Sequence, residues 1–469
     1  MRINSTITAR ILKALSIFGS IEMLTILCAV IRTKLVALWI GAAGVGVISL
    51  YNSTLDMLRS MLLPDVRQSS VREIATAPAD KRAAICLATR RLGILVGAVA
   101  AILVAALSPV LSRITFGSDE YTWGFAVLSL TIFMNAVADA RRAIFQGLER
   151  LKTLAKVSVG AAVVATATAI PLFYFFRMQA IVPVLLVFSL TTVLFMLSPS
   201  IPKPAVRPPK EEVRRIMRST LKLGTYLTAA VATTFIADYL LRVYLNTSES
   251  LSTVGLFQAG NTIVKTYIGV IFTAIAMEYY PRLSANIKRT SFSQTVVAHQ
   301  VSIVTWILMP VIVIFICADR LVVRLLYTES FLAVLPYISI AIIGTILRGA
   351  SWCMAFVILA KGDGKAYILT EAVSAVAILA LSIPAWHLWG FAGLGAAYVA
   401  QYLIYTLITS AVCRRRYGIS LPTSIIRLIL LALAVTAATL VLKLTFNWWL
   451  PLLLILPWLI PLTLKHLRK

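Results

Sequence analysis

Apolar residues run along this chain in blocks of about twenty, the length a helix needs to cross a bilayer. Polar residues gather in the short intervals between the blocks. The blocks lie near 12–38, 44–63, 90–112, 121–141, 154–176, 180–198, 220–245, 254–280, 296–317, 332–359, 366–386, 391–412, 423–443 and 448–464. They predict an all-α polytopic membrane protein with about fourteen transmembrane helices. Pro451, Pro457 and Pro461 make the last one kinked or poorly formed. The N-terminal segment is basic, but its apolar run continues without a small-residue cleavage site, so it reads as the first permanent span.

The longest polar interval, 199–219, begins Pro-rich and becomes basic and amphipathic, as expected of a segment lying on an anionic inner leaflet. It divides the chain into an N-terminal six-helix lobe (1–200), a linker (201–219) and a second six-helix lobe (220–416), followed by an extra helix pair and basic tail (420–469). A duplicated transporter with a central cavity has this organisation. A faint repeat accompanies it: Arg32, Gly46 and Asn52 in the first lobe, and Arg242, Gly255 and Asn261 in the second.

Composition sharpens this picture. With 60% hydrophobic and 13% charged residues and a mean hydropathy of +0.90, the chain is too apolar for a soluble multidomain enzyme. The formal net charge of +26 suggests nucleic acid until its distribution is followed. With the N-terminus in the cytoplasm, 33 of the 44 lysines and arginines fall in inner segments and 7 at outer ends. That asymmetry is the positive-inside signature. It predicts cytoplasmic termini and leaves no nucleic-acid role to explain. The outer connections are short, which gives no room for an external catalytic domain. Five scattered cysteines without CxxC spacing and three distant histidines suggest neither disulfides nor a metal site.

The candidate chemistry lies in charges inside or at the ends of spans. Arg32, Lys34, Arg59, Arg242, Lys265 and Arg348 are cations where each charge costs roughly 2.5–3.5 kcal/mol by insertion scales. Lys34 suits snorkelling to the outer headgroups; Arg59, Lys265 and Arg348 lie farther from an end. Asp56 and Arg59 are spaced i,i+3, and Asp238 and Arg242 i,i+4, so each pair shares a helix face. Such pairs either neutralise one another or leave guanidinium groups to bind an anionic ligand bidentately. Glu22, Asp56 and Asp238 are candidates for coupling transport to H+ or Na+, with Glu278 and Glu371 weaker ones. Asp139, Arg142 and Gln146 read as a cytoplasmic helix end. The glycine clusters GAAGVG at 41–46 and GFAGLG at 390–395 lie where two spans meet, and no strand precedes them. They read as hairpin turns and close helix contacts, not nucleotide loops.

Three stretches carry a resemblance: RTKLVALWIGAAGVGVISLY at 32–51, VGLFQAGNTIVKTYIGVIFTAIAMEYYPRLSANI at 254–287, and GFAGLGAAYV at 390–399. Over most of its length the chain resembles Wzx-type O-antigen and polysaccharide flippases of the multidrug/oligosaccharidyl-lipid/polysaccharide exporter superfamily. The resemblance implies two six-helix lobes around a cleft that opens alternately to each side of a bacterial inner membrane. Its implied cargo is an undecaprenyl-pyrophosphate-linked oligosaccharide, moved to the periplasmic leaflet without enzymatic chemistry or a cofactor. Membrane lipids, a polysaccharide polymerase and a chain-length regulator are the partners implied. By analogy with lipid II flippases, Arg32, Arg59 and Arg242 are the headgroup ligands; the extra helix pair exceeds the usual twelve helices of the Wzx-type family, whereas lipid II flippases have fourteen, so it leaves the subgroup open. A drug/cation antiporter of the same superfamily is the nearest alternative, and calls for an acidic, aromatic cavity. A membrane-embedded polymerase or glycosyltransferase is the alternative from another class, and calls for a large outer loop.

Overall fold

A computed structural model describes residues 5–63, 66–202, 208–446 and 449–467. Side chains are described from residue 27 onward, except at 79–80, 222–223, 226–227, 229–231, 274, 277 and scattered positions after 449. The Glu22 side chain therefore lies outside those described. Those described are helical almost throughout, with no strand among them. A chain this apolar has no other way to satisfy its backbone in lipid short of a closed barrel.

The helices are α1 (Ser5–Leu62), α2 (Val66–Thr76), α3 (Ala79–Ala106), α4 (Ser108–Phe116), α5 (Thr122–Gly147), α6 (Leu151–Phe176), α7 (Ile181–Leu197) and α8 (Lys210–Ser248). Then follow α9 (Leu251–Asn261), α10 (Ile268–Asn286), α11 (Thr290–Leu326), α12 (Leu335–Ala360), α13 (Gly364–Tyr417), α14 (Thr423–Thr445) and α15 (Leu450–Leu467). Each of the fourteen predicted blocks falls on helical backbone. Among the described residues eight helical stretches are long and apolar enough to span, and a ninth forms if Leu251–Thr273 and Glu278–Asn286, bent by 57°, count as one. Three of the eight, Leu27–Leu62, Leu151–Leu197 and Gly364–Tyr417, each contain an internal break.

Two of those breaks are made by glycine alone. Gly41 has φ 64° and ψ −167°, and Gly390 has φ 56° and ψ −130°, conformations that side chains bearing a Cβ scarcely adopt. Each opens one of the glycine clusters noted above. Farther along the second cluster, a Cβ at Gly395 would come within 2.9 Å of the Tyr337 carbonyl, so α12 and α13 meet there at backbone distance.

The chain forms two compact units. Unit 1 comprises Met1–Phe235 with Val243–Leu251, and unit 2 comprises Ile236–Arg242 with Ser252–Lys469. In unit 1, α3 and α5 pack so closely that a Cβ at Gly93 would lie 2.6 Å from that of Ala140. Unit 2 has an extended core of Phe272, Val301, Leu308, Ile312, Ile346, Met354 and Ile358, among others, onto which Ile429 and Ala432 of α14 also pack. Leu103, Phe175, Leu321, Leu388 and Leu430 are exposed. An outward apolar surface of this kind suits lipid, not water.

Candidate functional site

In unit 1 the charged residues converge where α1 ends. Arg59 Nη2 donates to Asp139 Oδ2 of α5 at 2.6 Å, and Asp139 Oδ1 accepts from Arg142 Nη1 at 3.1 Å. One carboxylate thus stands between two guanidinium groups. The sequence paired Arg59 with Asp56; the structure turns it to α5 instead. A head-on contact from a neighbouring helix gives a shorter, better aligned charge-assisted bond than an aspartate on the same helix surface. Asp56 still shares the site. With Arg59, Ser60, Arg67, Gln68 and Asp139 it forms the polar wall of a cavity of about 340 Å³. Asp139 and Arg142 are therefore more than a helix end.

The other first-unit candidates lie elsewhere. The Arg32 guanidinium stacks 4.7 Å from the centroid of Phe188 on α7, an arrangement that holds a cation against an apolar wall. Lys34 is half-buried.

In unit 2 the charges gather around a break in helical geometry. Between α9 and α10, Thr262–Tyr267 form a π-helical turn, and Lys265 lies on it. Such turns widen the hydrogen-bond ladder and are common at functional sites. Lys265 Nζ donates to Asp238 Oδ1 at 3.0 Å, and Arg242 Nη1 to Asp238 Oδ2 at 3.0 Å. The expected Asp238–Arg242 pair is present, and Lys265 joins it from a different element. The Arg242 side chain is only 6% exposed. Its remaining donors reach the Asp238 carbonyl at 2.8 Å and Gln258 Oε1 at 2.9 Å.

Arg348 of α12 approaches the same turn from another side. Its Nη1 donates to the carbonyls of Lys265 and Val264 at 3.2 and 3.4 Å, and its guanidinium lies 5.1 Å from the Phe272 centroid. Among the described residues no carboxylate is paired with it. Arg348 also lines a second cavity, of about 190 Å³, with Trp352, Phe356, Tyr367, Tyr402, Tyr405 and Glu371. The Tyr405 hydroxyl donates to Glu371 there.

Several of these groups escaped sequence reasoning. Asp139 carried a signal, being a carboxylate inside a predicted span. Nothing in the residue pattern hinted that Gln258 would receive Arg242. A further buried pair, Asp319 of α11 with Lys443 of α14, is joined by Ser339 Oγ, 2.7 Å from Asp319 Oδ2. It ties the first helix of the extra pair to unit 2. Among the described residues no group of three His, Cys, Asp or Glu side chains is placed to hold a metal ion.

Known proteins place this geometry in a family. Residues 91–336 match the family of polysaccharide biosynthesis proteins. Among curated proteins none matches the sequence significantly. Solved structures do match the fold. The inward closed conformation of the lipid II flippase MurJ superposes with a TM-score of 0.71 at 12% identity, covering 96% of this chain and 97% of that one. An inward-facing multidrug resistance MATE transporter of the MOP superfamily gives 0.69 at 14%, covering 86% and 98%. A MOP superfamily transporter from Pyrococcus furiosus, described as having a binding pocket of reverse polarity, gives 0.63 at 15%, covering 87% and 96%. The fold is thus that of the MOP superfamily, and with more than half of its length matched the chain belongs to the polysaccharide biosynthesis protein family.

Proposed function

We propose that the protein is a flippase that moves an undecaprenyl-pyrophosphate-linked oligosaccharide, of the O-antigen or a related surface polysaccharide, across a bacterial inner membrane. The observation that carries this reading is the cation excess around the π-helical turn. Arg242, Lys265 and Arg348 share one carboxylate, Asp238, among the described residues. A pyrophosphate needs such a surplus, because its desolvation in hydrocarbon is offset only by charge-assisted partners. Arg59 and Arg67, in the unit 1 cavity, supply further donors. Arg32 and Lys34 are the further unit 1 cations assigned to the cargo.

The orientation that goes with this reading has both termini in the cytoplasm. The cargo path opens alternately to either side, as the inward- and outward-facing conformations of MATE relatives suggest. Glu22, Asp56 and Asp238 are the carboxylates proposed to couple the cycle to H+ or Na+. The protein performs no covalent chemistry, and its proposed partners are the lipid-linked cargo, membrane lipids, a polymerase and a chain-length regulator.

A second reading has its own support. The Trp352–Glu371–Tyr405 cavity is aromatic and holds a carboxylate along with Arg348, and aromatic walls with a carboxylate are what an exporter of organic cations calls for. Proteoliposomes decide between them. With a fluorescent undecaprenyl-pyrophosphate glycan and, separately, a cationic dye, the flippase reading expects glycan translocation that Arg348→Gln abolishes, with no dye transport. Dye transport dependent on Glu371, with no movement of the glycan, would establish the antiporter instead.

A further inference from the structure

At the end of unit 1 where α3 begins and α5 and α7 finish, two arginines bond one short turn, and a third stands on the neighbouring α3. Ile201 packs against Cys86 of α3 and Ile144 of α5, which seats the turn after α7 between those helices. Arg141 of α5 is 9% exposed and donates from Nη1 to the Pro199 carbonyl at 3.4 Å. Its Nε is sealed from solvent and has no acceptor among the described residues. Arg150 donates to the next carbonyl, Ser200, at 3.0 Å.

Arg90 completes the set from α3. It lies one turn from Cys86 and one turn from Gly93, and the close approach of Gly93 to Ala140 brings it level with Arg141. The two guanidinium groups are near enough to repel one another. Among the described residues no carboxylate is within ion-pair distance of Arg90, Arg141 or Arg150. A buried, incompletely bonded guanidinium beside a like charge is costly, and the neutral carbonyls of Pro199 and Ser200 do not cancel it. What the cluster lacks is an acceptor bearing negative charge.

We infer that Arg90, Arg141 and Arg150 form a binding site for a phosphate group, separate from the charges proposed to meet the cargo. A phosphate monoanion would meet the accessible edge of Arg141 and bridge it to Arg90, supplying the negative charge that the sealed Nε and the neutral carbonyls leave missing. The phosphate comes either from an anionic phospholipid headgroup at the bilayer edge or from free phosphate.

The full-length protein purified in detergent tests this. Native mass spectrometry measures retention of phosphatidylglycerol against phosphatidylcholine, and thermal unfolding measures stabilisation by inorganic phosphate. The expected result is preferential retention of phosphatidylglycerol, weakened about tenfold by Arg141→Gln or Arg90→Ala, the loss of one charge-assisted hydrogen bond. Stabilisation by phosphate without lipid preference would support the site and assign it to the free anion. Equal retention of the two lipids with no phosphate effect overturns the inference, as does unchanged binding in both variants. Arg90 is exposed, so its variant gives the answer if Arg141→Gln fails to fold. None of these readouts depends on glycan transport.

Discussion

The two units each contain a carboxylate held between two cations, and the arrangements correspond in detail. In unit 1 Asp139 takes Arg142 from its own helix and Arg59 from α1; in unit 2 Asp238 takes Arg242 from its own helix and Lys265 from the π-helical turn. In each, one carboxylate serves two cations. They differ in their access to water. Around Asp139 the cationic side chains are about a third exposed and Arg59 lines the 340 Å³ cavity, whereas Arg242 is nearly sealed. The same set of charges is therefore expected to offer two guanidinium groups to the cargo in unit 1, and in unit 2 to offer Lys265 to it while the nearly sealed Arg242 holds Asp238 in place.

Removing the central carboxylate is the most forceful way to break that contrast. Asp238→Asn preserves volume but leaves Arg242 and Lys265 facing each other without an anion. Loss of one partner of a fully buried pair costs about 3–5 kcal/mol, and with Asp238 and Lys265 each 28% exposed the loss here should fall below that. Thermal unfolding in detergent should show it, and an unchanged midpoint would mean that the cluster is wet.

The glycine breaks come next. Gly41 in unit 1 and Gly390 in unit 2 hold near-equivalent positive-φ conformations, and nothing lies within 4 Å of a Cβ built at either. Alanine at each should therefore cost backbone strain alone, about 1–3 kcal/mol. Similar losses at both would confirm that the two turns are made alike. A loss at one site only would show that its neighbour helices relax to absorb the change.

Arg59→Ala should separate stability from transport. A partly exposed ion pair contributes roughly 0–1 kcal/mol, so the unfolding midpoint should scarcely move while glycan translocation in proteoliposomes is lost. Translocation at the normal rate would remove Arg59 from the cargo path. A large fall in midpoint would instead make the unit 1 cluster as structural as its counterpart.

How far the sequence foretold these sites follows from the range of the interactions. The apolar blocks became helices because hydropathy is a local property with a fixed required length. Asp238–Arg242 was legible because both residues ride one helix at i,i+4. Arg59–Asp139 was not, since eighty residues separate the partners and tertiary packing alone decides which carboxylate a long arginine reaches. The same holds for Lys265 and Asp238, and for Lys443 and Asp319, where a charge in one span finds its partner in another. Gly41 and Gly390 could be seen as turn formers, but not as the residues that bear the break, because neighbouring glycines in each cluster offered the same freedom.

A third carboxylate, whose arginine partner is 54% exposed, extends the comparison and gives the smallest expected effect. Asp363, in the connection between α12 and α13, accepts from the Ala366 N–H at 3.0 Å, and from the Tyr417 hydroxyl and Arg416 Nη1 at 2.8 Å each. The Ala366 N–H, with help from Tyr417 and Arg416, holds its carboxyl below the usual carboxylate range. A lowered folded value means that the stabilisation is complete above the ordinary carboxylate pKa of about 4 and disappears as pH falls through the lower folded value. Asp363→Asn retains a good helix cap but not the charge. Its unfolding midpoint should fall slightly at neutral pH, by the equivalent of about 0.5 kcal/mol at the low end for a cap, and should lose its share of the acid dependence below about pH 4. If Asp363→Asn instead matched Asp238→Asn in its effect, burial would not be what separates the clusters, and the contrast between the units would need another cause.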